Sequence, residues 1–375
     1  MDLVNSPKVK EILFAIGSSD LGGGQLVFFS MIKWHVLQGI KVTVILPPGP
    51  LVDKISNVAC EIYVLRLDVS YLWKVRKIIK YRNFDIINAH LTKCGFFICL
   101  SSAFLGVKIC LTLHNDILHN KLNITQSFLY PYLYRILATF VNGIVVPSKY
   151  VKNHMHEVAN IRLSKMRVVY YVTSPPLRED SITIPTNTIL NKNPSTVTCI
   201  GRLSIEKGQI YLLQALSLLT DLDLLVWIVG DGPMRNFLET FARDNRLLSR
   251  VRFLGYRDDV QSLLEQSDIV VVPSLSEAFG LIIIEAFYAG KVVIASEVGG
   301  IPEIIQDNTT GFLVPSGNAL ALAKKIREAI VNKQKSISVA ESARQHAQLT
   351  FSLGASARNL HNYYLEIITQ ESNPE

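Results

Sequence analysis

The amino-acid sequence predicts an α/β protein with two domains, each a parallel sheet covered by helices. Three observations predict this class. The chain has 375 residues, more than one ordinary hydrophobic core supports. Short apolar runs alternate with longer amphipathic segments, as in the βαβ units of doubly wound sheets. A polar, proline-bearing stretch separates an earlier alternating series from a later one.

Each series contains five predicted strands, which are short apolar runs typical of parallel strands buried on both faces. In the first half they are residues 11–16, 41–46, 85–89, 107–113 and 143–146. In the second half they are residues 197–201, 224–229, 251–254, 269–272 and 292–295.

The domain boundaries follow from these two series. We predict a first domain at residues 1–180, a linker at 181–194 and a second domain at 195–350. A final helical segment, residues 351–375, is a candidate to cross back to the first domain. Two such sheets are expected to face each other across a cleft. Ligands of these sheets bind beyond the carboxyl ends of the strands, so we expect the functional residues just after strands.

The composition excludes several classes of protein. Hydrophobic residues make up 49% of the chain, which excludes a disordered protein. The first residues lack the apolar core of a secretory signal, and the longest apolar stretch, residues 96–107, is too short to span a bilayer. The five cysteines form no C-x-x-C pair and no zinc spacing. These observations predict a cytoplasmic protein with reduced thiols.

The positive charge belongs to the first half of the chain. Residues 1–185 hold 21 Lys and Arg against 11 Asp and Glu, which gives +10, and residues 186–375 hold 17 against 20, which gives −3. Such asymmetry indicates an anionic partner for the first half. The cationic and aromatic segment 73–82 and the apolar segment 124–140 suit contact with anionic lipid, on the cytoplasmic face of a membrane. The alternative is a solvated helix and a buried one.

Two glutamates in the second half are the leading candidates for a site. A buried strand ends at Pro273, a loop carries Glu277, and a helix is predicted from near Phe279 to Gly290, with Glu285 on its second turn. Both carboxylates can then face one cleft. The free backbone N–H groups near Gly280 and Leu281 form an anion site at the helix N-terminus. The alternative makes Glu277 a helix-start carboxylate and Glu285 a surface residue.

Further candidates also follow predicted strands. Arg202 and Lys207 flank a short loop, where a guanidinium and an ammonium suit a pyrophosphate; the alternative is two solvated cations. Glycines recur in the turns at residues 22–24 and 230–232, where a backbone can approach a ligand closely. Asp221 and Asp223 spell D-x-D, but at the wrong end of the sheet, so we interpret them as a turn. No metal site and no nucleic-acid motif is predicted.

Taken together, these segments resemble the family-4 retaining glycosyltransferases, whose GT-B fold pairs two Rossmann-like domains. The resemblance is strongest from about Thr196 to Pro315. Its motifs in this chain are Gly-Arg-Leu…Glu-Lys-Gly at 201–208, Val-Gly-Asp-Gly-Pro at 229–233, Glu-x7-Glu at 277–285, Val-Gly-Gly-Ile-Pro-Glu at 298–303 and Gly-Phe-Leu-Val-Pro at 311–315.

The resemblance implies a role for each matched residue. Arg202 and Lys207 would bind the donor diphosphate, Glu285 the ribose hydroxyls and Glu277 the donor sugar. His114 would contact the transferred sugar or support the reacting centre. The backbone amides of Phe279, Gly280 and Leu281 would lie near the sugar and phosphates. Gly23 and Gly24 would approach the phosphate from the first domain. Leu254 would line the base pocket, and Gly230 would belong to the same donor site.

Two positions depart from the family pattern. Asn88 stands where a second histidine is common, and Tyr170-Tyr171-Val172-Thr173 replaces the usual Asn-Gly turn. These departures concern the acceptor side and the hinge, and they leave the donor site intact.

The implied reaction is metal-independent, retaining transfer of a hexose from a UDP- or GDP-sugar. Its acceptor is a glycan or a lipid-linked oligosaccharide, as in bacterial O-antigen, capsule or lipopolysaccharide assembly. No other cofactor and no nucleic acid is expected. Two other functions stay open, namely a nucleotide-sugar epimerase of the same fold and a non-catalytic nucleotide-sugar or nucleic-acid binding module.

Overall fold

The protein divides into two compact units, which are described separately. The computed structural model describes residues 8–114, 124–173 and 194–370. The first unit is Met1–Thr173 together with Leu353–Glu375, and the second is Ser174–Ser352. The linker predicted at 181–194 lies, except for its last residue, outside the described residues.

The first unit is built on a parallel seven-stranded sheet in the order β3-β2-β1-β4-β5-β6-β7. Helices follow the strands in regular alternation. The elements are β1 (Glu11–Ile16), α1 (Gly23–Leu37), β2 (Lys41–Leu46), α2 (Pro50–Ser56), β3 (Glu61–Val64), α3 (Val69–Tyr81), β4 (Ile86–His90), α4 (Thr92–Ser102), β5 (Ile109–Thr112), α5 (Ile124–Phe140), β6 (Gly143–Val146), α6 (Lys149–Ala159) and β7 (Met166–Val168).

The second unit repeats this plan with six parallel strands in the order β10-β9-β8-β11-β12-β13. Its elements are β8 (Ser195–Ile200), α7 (Gln209–Ser217), β9 (Leu224–Val229), α8 (Arg235–Asp244), β10 (Val251–Gly255), α9 (Val260–Gln266), β11 (Ile269–Val272), α10 (Leu281–Tyr288), β12 (Val292–Ser296), β13 (Phe312–Val314), α11 (Ala319–Val331) and α12 (Lys333–Thr350).

The predicted fold class is confirmed, and all ten predicted strands are present within a few residues. Three strands were missed, namely β3, β7 and β13. Each lies at the edge of its sheet and has only three or four residues. Edge strands are covered less completely than central ones, so their sequences lack the long apolar run that marked the others.

The last helix, α13 (Leu353–Thr369), packs on the first unit. Asn359 Nδ2 donates a hydrogen bond of 3.0 Å to the carbonyl oxygen of Val168, and Tyr363 Oη donates one of 2.8 Å to that of Lys165. Asn88 Nδ2 donates to the hydroxyl of the fully buried Tyr364. The residue that departs from the family pattern is therefore part of this helix's docking contact.

His35 of α1 is buried beside α13, 5.6 Å from the ring of His361. Burial lowers its pKa to about 4, with His361 adding to the effect and the carbonyl of Met31 opposing it. The unfolded chain binds a proton at His35 more tightly than the folded chain does. The contribution of neutral His35 to stability is therefore fully present above about pH 6.5 and is lost as the pH drops toward 4.

We expect acidification from about pH 6.5 to 4 to cost about 3 kcal/mol at this one residue. Urea unfolding at a series of pH values measures it. In His35→Phe the loss of unfolding free energy between about pH 6.5 and 4 should be smaller by that amount. An unchanged loss would contradict the assignment.

Candidate active site

The predicted site of the second unit is formed by loops at the carboxyl ends of neighbouring strands. The loops after β8, β9, β11 and β12 are joined by backbone hydrogen bonds. Leu203 N donates to Asp231 O at 2.9 Å, Leu275 N to Glu206 O at 2.8 Å, and Gly300 N to Glu277 O at 3.0 Å. The strand order places these loops side by side, so segments far apart in sequence form one surface.

Glycines are required where these loops touch. A Cβ atom on Gly230 would lie 2.0 Å from the carbonyl oxygen of Gly201, and one on Gly208 would lie 2.1 Å from that of Pro273. Real Cβ contacts are essentially never shorter than 3.0 Å. The sequence suggested glycine turns open to a ligand, and the structure shows that they first allow backbone to pack on backbone. A ligand role for Gly230 stays a prediction.

Lys207 and Glu277 form an ion pair at the centre of this surface. Lys207 Nζ lies 2.6 Å from Glu277 Oε2, and the two side chains are 31% and 12% exposed. Burial works to lower the pKa of Lys207, but the carboxylate of Glu277, assisted by Glu206 and Cys199, outweighs it and the pKa is raised. Lys207 is therefore a cation held in a recess lined by Cys199, Gln209, Ser274 and Ile282 among others.

Arg202 lies on the same loop as Lys207 but is exposed. Its carbonyl oxygen accepts a 2.8 Å hydrogen bond from Gln209 Nε2, which fixes the backbone of the loop. Its guanidinium makes no hydrogen bond to any residue that the structure describes. The two predicted phosphate-binding cations thus differ: Lys207 is half-buried and paired, and Arg202 is open to solvent.

Helix α10, which carries Glu285, begins at Leu281, two residues later than predicted. Gly280 is its N-cap, with φ 106°. A glycine N-cap has no side chain to accept from the first N–H groups of the helix, which makes this end suited to an anion. Glu285 lies on the second turn, as predicted, and is partly buried. Phe279 is 3% exposed and packs edge-on against Phe351, so its side chain belongs to the core.

In the first unit, the predicted glycines and His114 lie together. Gly23 and Gly24 form the first turn of α1 itself, whereas the sequence suggested a loop before the helix. A Cβ atom on Gly24 would lie 3.1 Å from Cγ and Nδ1 of His114. A glycine at this position therefore lets the helix approach the imidazole.

His114 is joined to His90 by a 2.8 Å hydrogen bond between His90 Nδ1 and His114 Nε2. Burial lowers the pKa of His114 to about 4, and burial together with His114 lowers that of His90. Both imidazoles are neutral near pH 7. His114 can therefore donate or accept a hydrogen bond, but it cannot supply a positive charge.

The structure does not bring every predicted residue to Lys207 and Glu277. Leu254 lies on β10, the edge strand next to β9, two strands away from β8. Asp221 pairs with Arg327 before β9 begins, which confirms the interpretation of D-x-D as a turn. No group of three potential metal-ligating side chains occurs in the described ranges. Nor does any helix described there have the length and apolar character to cross a bilayer.

Two neutral side chains of this site were missed. Ser274, 1% exposed, donates its hydroxyl to Glu277 Oε2 at 3.3 Å, and Gln209, 2% exposed, holds the loop of Arg202. The only sequence signal was their position, directly after Pro273 and after Gly208. Serine and glutamine are common in turns and helix starts, so that position alone could not single them out.

Comparison with known proteins finds a glycosyltransferase family model for each half of the chain. The family model described as Glycosyltransferase Family 4 matches residues 21–171, and the model described as Glycosyl transferases group 1 matches residues 180–346. An uncharacterised glycosyltransferase of Methanocaldococcus jannaschii is 28% identical over 288 residues, 75% of this chain and 76% of the relative.

Two further proteins are informative. The UDP-Gal:alpha-D-GlcNAc-diphosphoundecaprenol alpha-1,3-galactosyltransferase of Escherichia coli is 24% identical over 71% of this chain and 73% of its own length. HepE of Anabaena, solved in complex with UDP, matches with a TM-score of 0.81 at 24% identity, over 94% of this chain and 99% of the other. This structural likeness shows the fold.

Proposed function

The chain belongs to the family-4 glycosyltransferases of the GT-B fold, and from that premise we propose that it transfers a hexose from a nucleotide-sugar donor with retention of configuration. The observation that carries the proposal is the half-buried Lys207–Glu277 pair between two loops, next to a helix N-terminus whose N-cap is a glycine. A lysine, a carboxylate and free N–H groups suit an anionic, hydroxyl-rich ligand. A nucleotide sugar is such a ligand.

The proposed donor site lies on the second unit. Lys207 and Arg202 bind the diphosphate, assisted by the backbone N–H groups of Phe279, Gly280 and Leu281. Glu277 accepts hydrogen bonds from the hydroxyls of the sugar, and Glu285 from those of the ribose. Leu254 and Gly230 line the base side. In the first unit we assign the phosphate approach to Gly23 and Gly24, and support of the transferred sugar to neutral His114.

The proposed reaction needs no covalent enzyme intermediate. The acceptor hydroxyl bonds to the anomeric carbon on the face that the diphosphate leaves. The bond between that carbon and the diphosphate oxygen breaks, and the hydroxyl proton passes to the departing diphosphate. Lys207 and Arg202 stabilise the negative charge that develops on this group, which is the main electrostatic requirement of the step. These two cations supply what a metal ion would otherwise supply, so we propose metal-independent transfer.

Relatives support a UDP-sugar as the first donor to test and a lipid-linked or free glycan as the acceptor. The Escherichia coli relative is named for transfer from UDP-Gal to a diphosphoundecaprenol-linked sugar, and HepE was solved with UDP-glucose. We propose that this chain acts in assembly of a bacterial surface polysaccharide, such as an O-antigen or a capsule.

The test is a panel of UDP-, GDP- and ADP-sugars, with and without glycan acceptors and a metal chelator. One donor should release its nucleotide diphosphate much faster with an acceptor present, and the chelator should leave the rate unchanged. Glu285→Ala should weaken binding of that nucleotide about tenfold or more, as expected for a hydrogen-bonded carboxylate. Glu341→Ala, at a partly exposed carboxylate on α12, is the matched control.

Other outcomes distinguish the two remaining functions. Release of free sugar without any acceptor would indicate an epimerase, and binding without turnover would indicate a non-catalytic module. Loss of activity in the chelator, restored by Mg²⁺, would contradict metal independence.

A further inference from the structure

Two neighbouring helices of the first unit expose large apolar side chains to solvent. We call this surface the α3–α4 face and define it by six residues: Trp73, Lys77, Lys80, Phe96, Leu100 and Phe104. Trp73 is 74% exposed and Phe104 is 102% exposed, while Phe96 and Leu100 are 47% and 49% exposed. A single exposed apolar residue is ordinary, but a group of this size marks a binding surface.

Side-chain contacts show that α3 and α4 lie parallel and in register. Tyr71 Oη lies 3.8 Å from Cys94 Sγ near their starts. Arg76 Nη1, from the middle of α3, donates to the carbonyl oxygens of Ser101, at 3.2 Å, and Ala103, at 2.8 Å, at the end of α4. Lys77 and Lys80 follow Arg76 within about one turn. They therefore lie at the end of α4 from which Phe104 projects.

The backbone of Phe104 is in the left-handed region, with φ 64°. This conformation favours glycine and asparagine and is costly for a bulky side chain. Phe104 recovers none of that cost through packing, because its side chain is fully exposed. A strained backbone that presents an unpacked aromatic ring indicates a function outside the fold. The two hydrogen bonds from Arg76 hold this turn in place.

The charge on this surface has one sign. From Val69 to Leu113 the only acidic residue is Asp85, and its carboxylate accepts the backbone N–H groups of Lys10 and Glu11. Of the cations in segment 73–82, Arg76 caps α4 and Arg82 pairs with Glu11 and Glu61. Lys77 and Lys80 are exposed and pair with no acidic residue in the described part of the chain. Lys74 is exposed too, but it interacts with the carboxylate of Asp68, the N-cap of α3.

We propose that the α3–α4 face binds the surface of an anionic lipid bilayer. Phe104 inserts between the headgroups, with Trp73 at the interface, and Lys77 and Lys80 contact the lipid phosphates. Aromatic side chains beside unpaired lysines have this preference, since the ring enters the apolar boundary while the ammonium groups remain at the phosphates. This inference goes beyond the proposed function and uses only residues of the first unit.

A second copy of the chain is a poorer partner for this face. A symmetric dimer would place the same patch against itself. Lys77 and Lys80 would then face the lysines of the other copy with no carboxylate between them. An anionic bilayer instead offers both an apolar layer and negative charge.

The test is vesicle flotation of the full chain, without donor. We expect binding to phosphatidylcholine vesicles that contain phosphatidylglycerol, no binding to phosphatidylcholine alone, and weaker binding at high salt. Lys77→Glu with Lys80→Glu should lower the partition coefficient at least about tenfold. Phe104→Gly should also lower it, yet keep or raise Tm, because glycine relieves the backbone strain.

The matched controls lie on the second unit. Lys324→Glu with Lys333→Glu makes the same change in net charge, and Leu349→Ala removes a side chain that is 85% exposed; both should bind vesicles as the parent does. Equal binding to neutral vesicles, or parental binding by the Phe104 and lysine variants, would overturn the proposal. So would a dimer in sedimentation velocity that Phe104→Gly abolishes. Since no donor is present, these results are independent of the donor panel.

Discussion

Replacing Lys207 by alanine is expected to lower turnover at least about a hundredfold, the cost typical of removing one preorganised donor from developing charge. The ammonium group of Lys207 is held at 2.6 Å from Glu277 Oε2 in a recess, and its pKa is raised by that carboxylate. It is therefore charged and fixed before any donor arrives. The measurement is the initial rate of nucleotide release with the donor that the panel identifies.

Controls separate this effect from a structural one. Lys324→Ala, exposed on α11 of the same unit, should keep parental activity. Comparing Lys207→Ala, Glu277→Gln and the double variant shows whether the lysine acts only by holding the glutamate, because the single effects would then not add. Lys207→Ala should retain cooperative unfolding. Activity within about threefold of the parent would remove Lys207 from the charge-stabilising role.

The second large effect is expected from Gly299→Ala. Gly299 has φ 57°, and a Cβ atom on it would lie 1.9 Å from the carbonyl oxygen of Glu277. Backbone must move to relieve this contact, so we expect the second unit to lose more than about 3 kcal/mol of stability, with loss of donor binding as Glu277 shifts. Urea unfolding and nucleotide binding measure the two consequences.

Gly290→Ala is the matched control for that variant. Gly290 has a similar φ of 66°, but its Cβ atom would meet nothing nearer than 4.0 Å. It should cost only the backbone strain, about 1 kcal/mol. If the two variants were equally stable, the contact between the loops after β11 and β12 would have no energetic importance.

Local patterns in the sequence were sufficient for the strands that carry the site. β8, β9, β11 and β12 are short runs that are mostly buried, and each is followed by a polar or glycine-rich loop. The place of Glu285 on the second turn of α10 followed from the same local reasoning. Periodicity and turn residues act within a few positions, so one chain segment contains the information.

Structure changed the interpretation of several residues, one in those loops and two in or next to α3. Gly230 looked like part of a ligand-facing turn, and it is a contact point between two backbones. Arg76 and Arg82 looked like part of a basic surface, and they cap a helix and join two strands. Each of these roles depends on a partner from a different element, which the local pattern does not reveal.

By itself the sequence determined the fold class, the family and the segments in which the candidate residues lie. Only the tertiary structure decided that Lys207 pairs with Glu277, that Gly24 faces His114, and that α13 returns to the first unit. The physical reason is that strand order and helix packing bring residues together across dozens to hundreds of positions. Those contacts depend on how whole elements pack, and no local propensity specifies them.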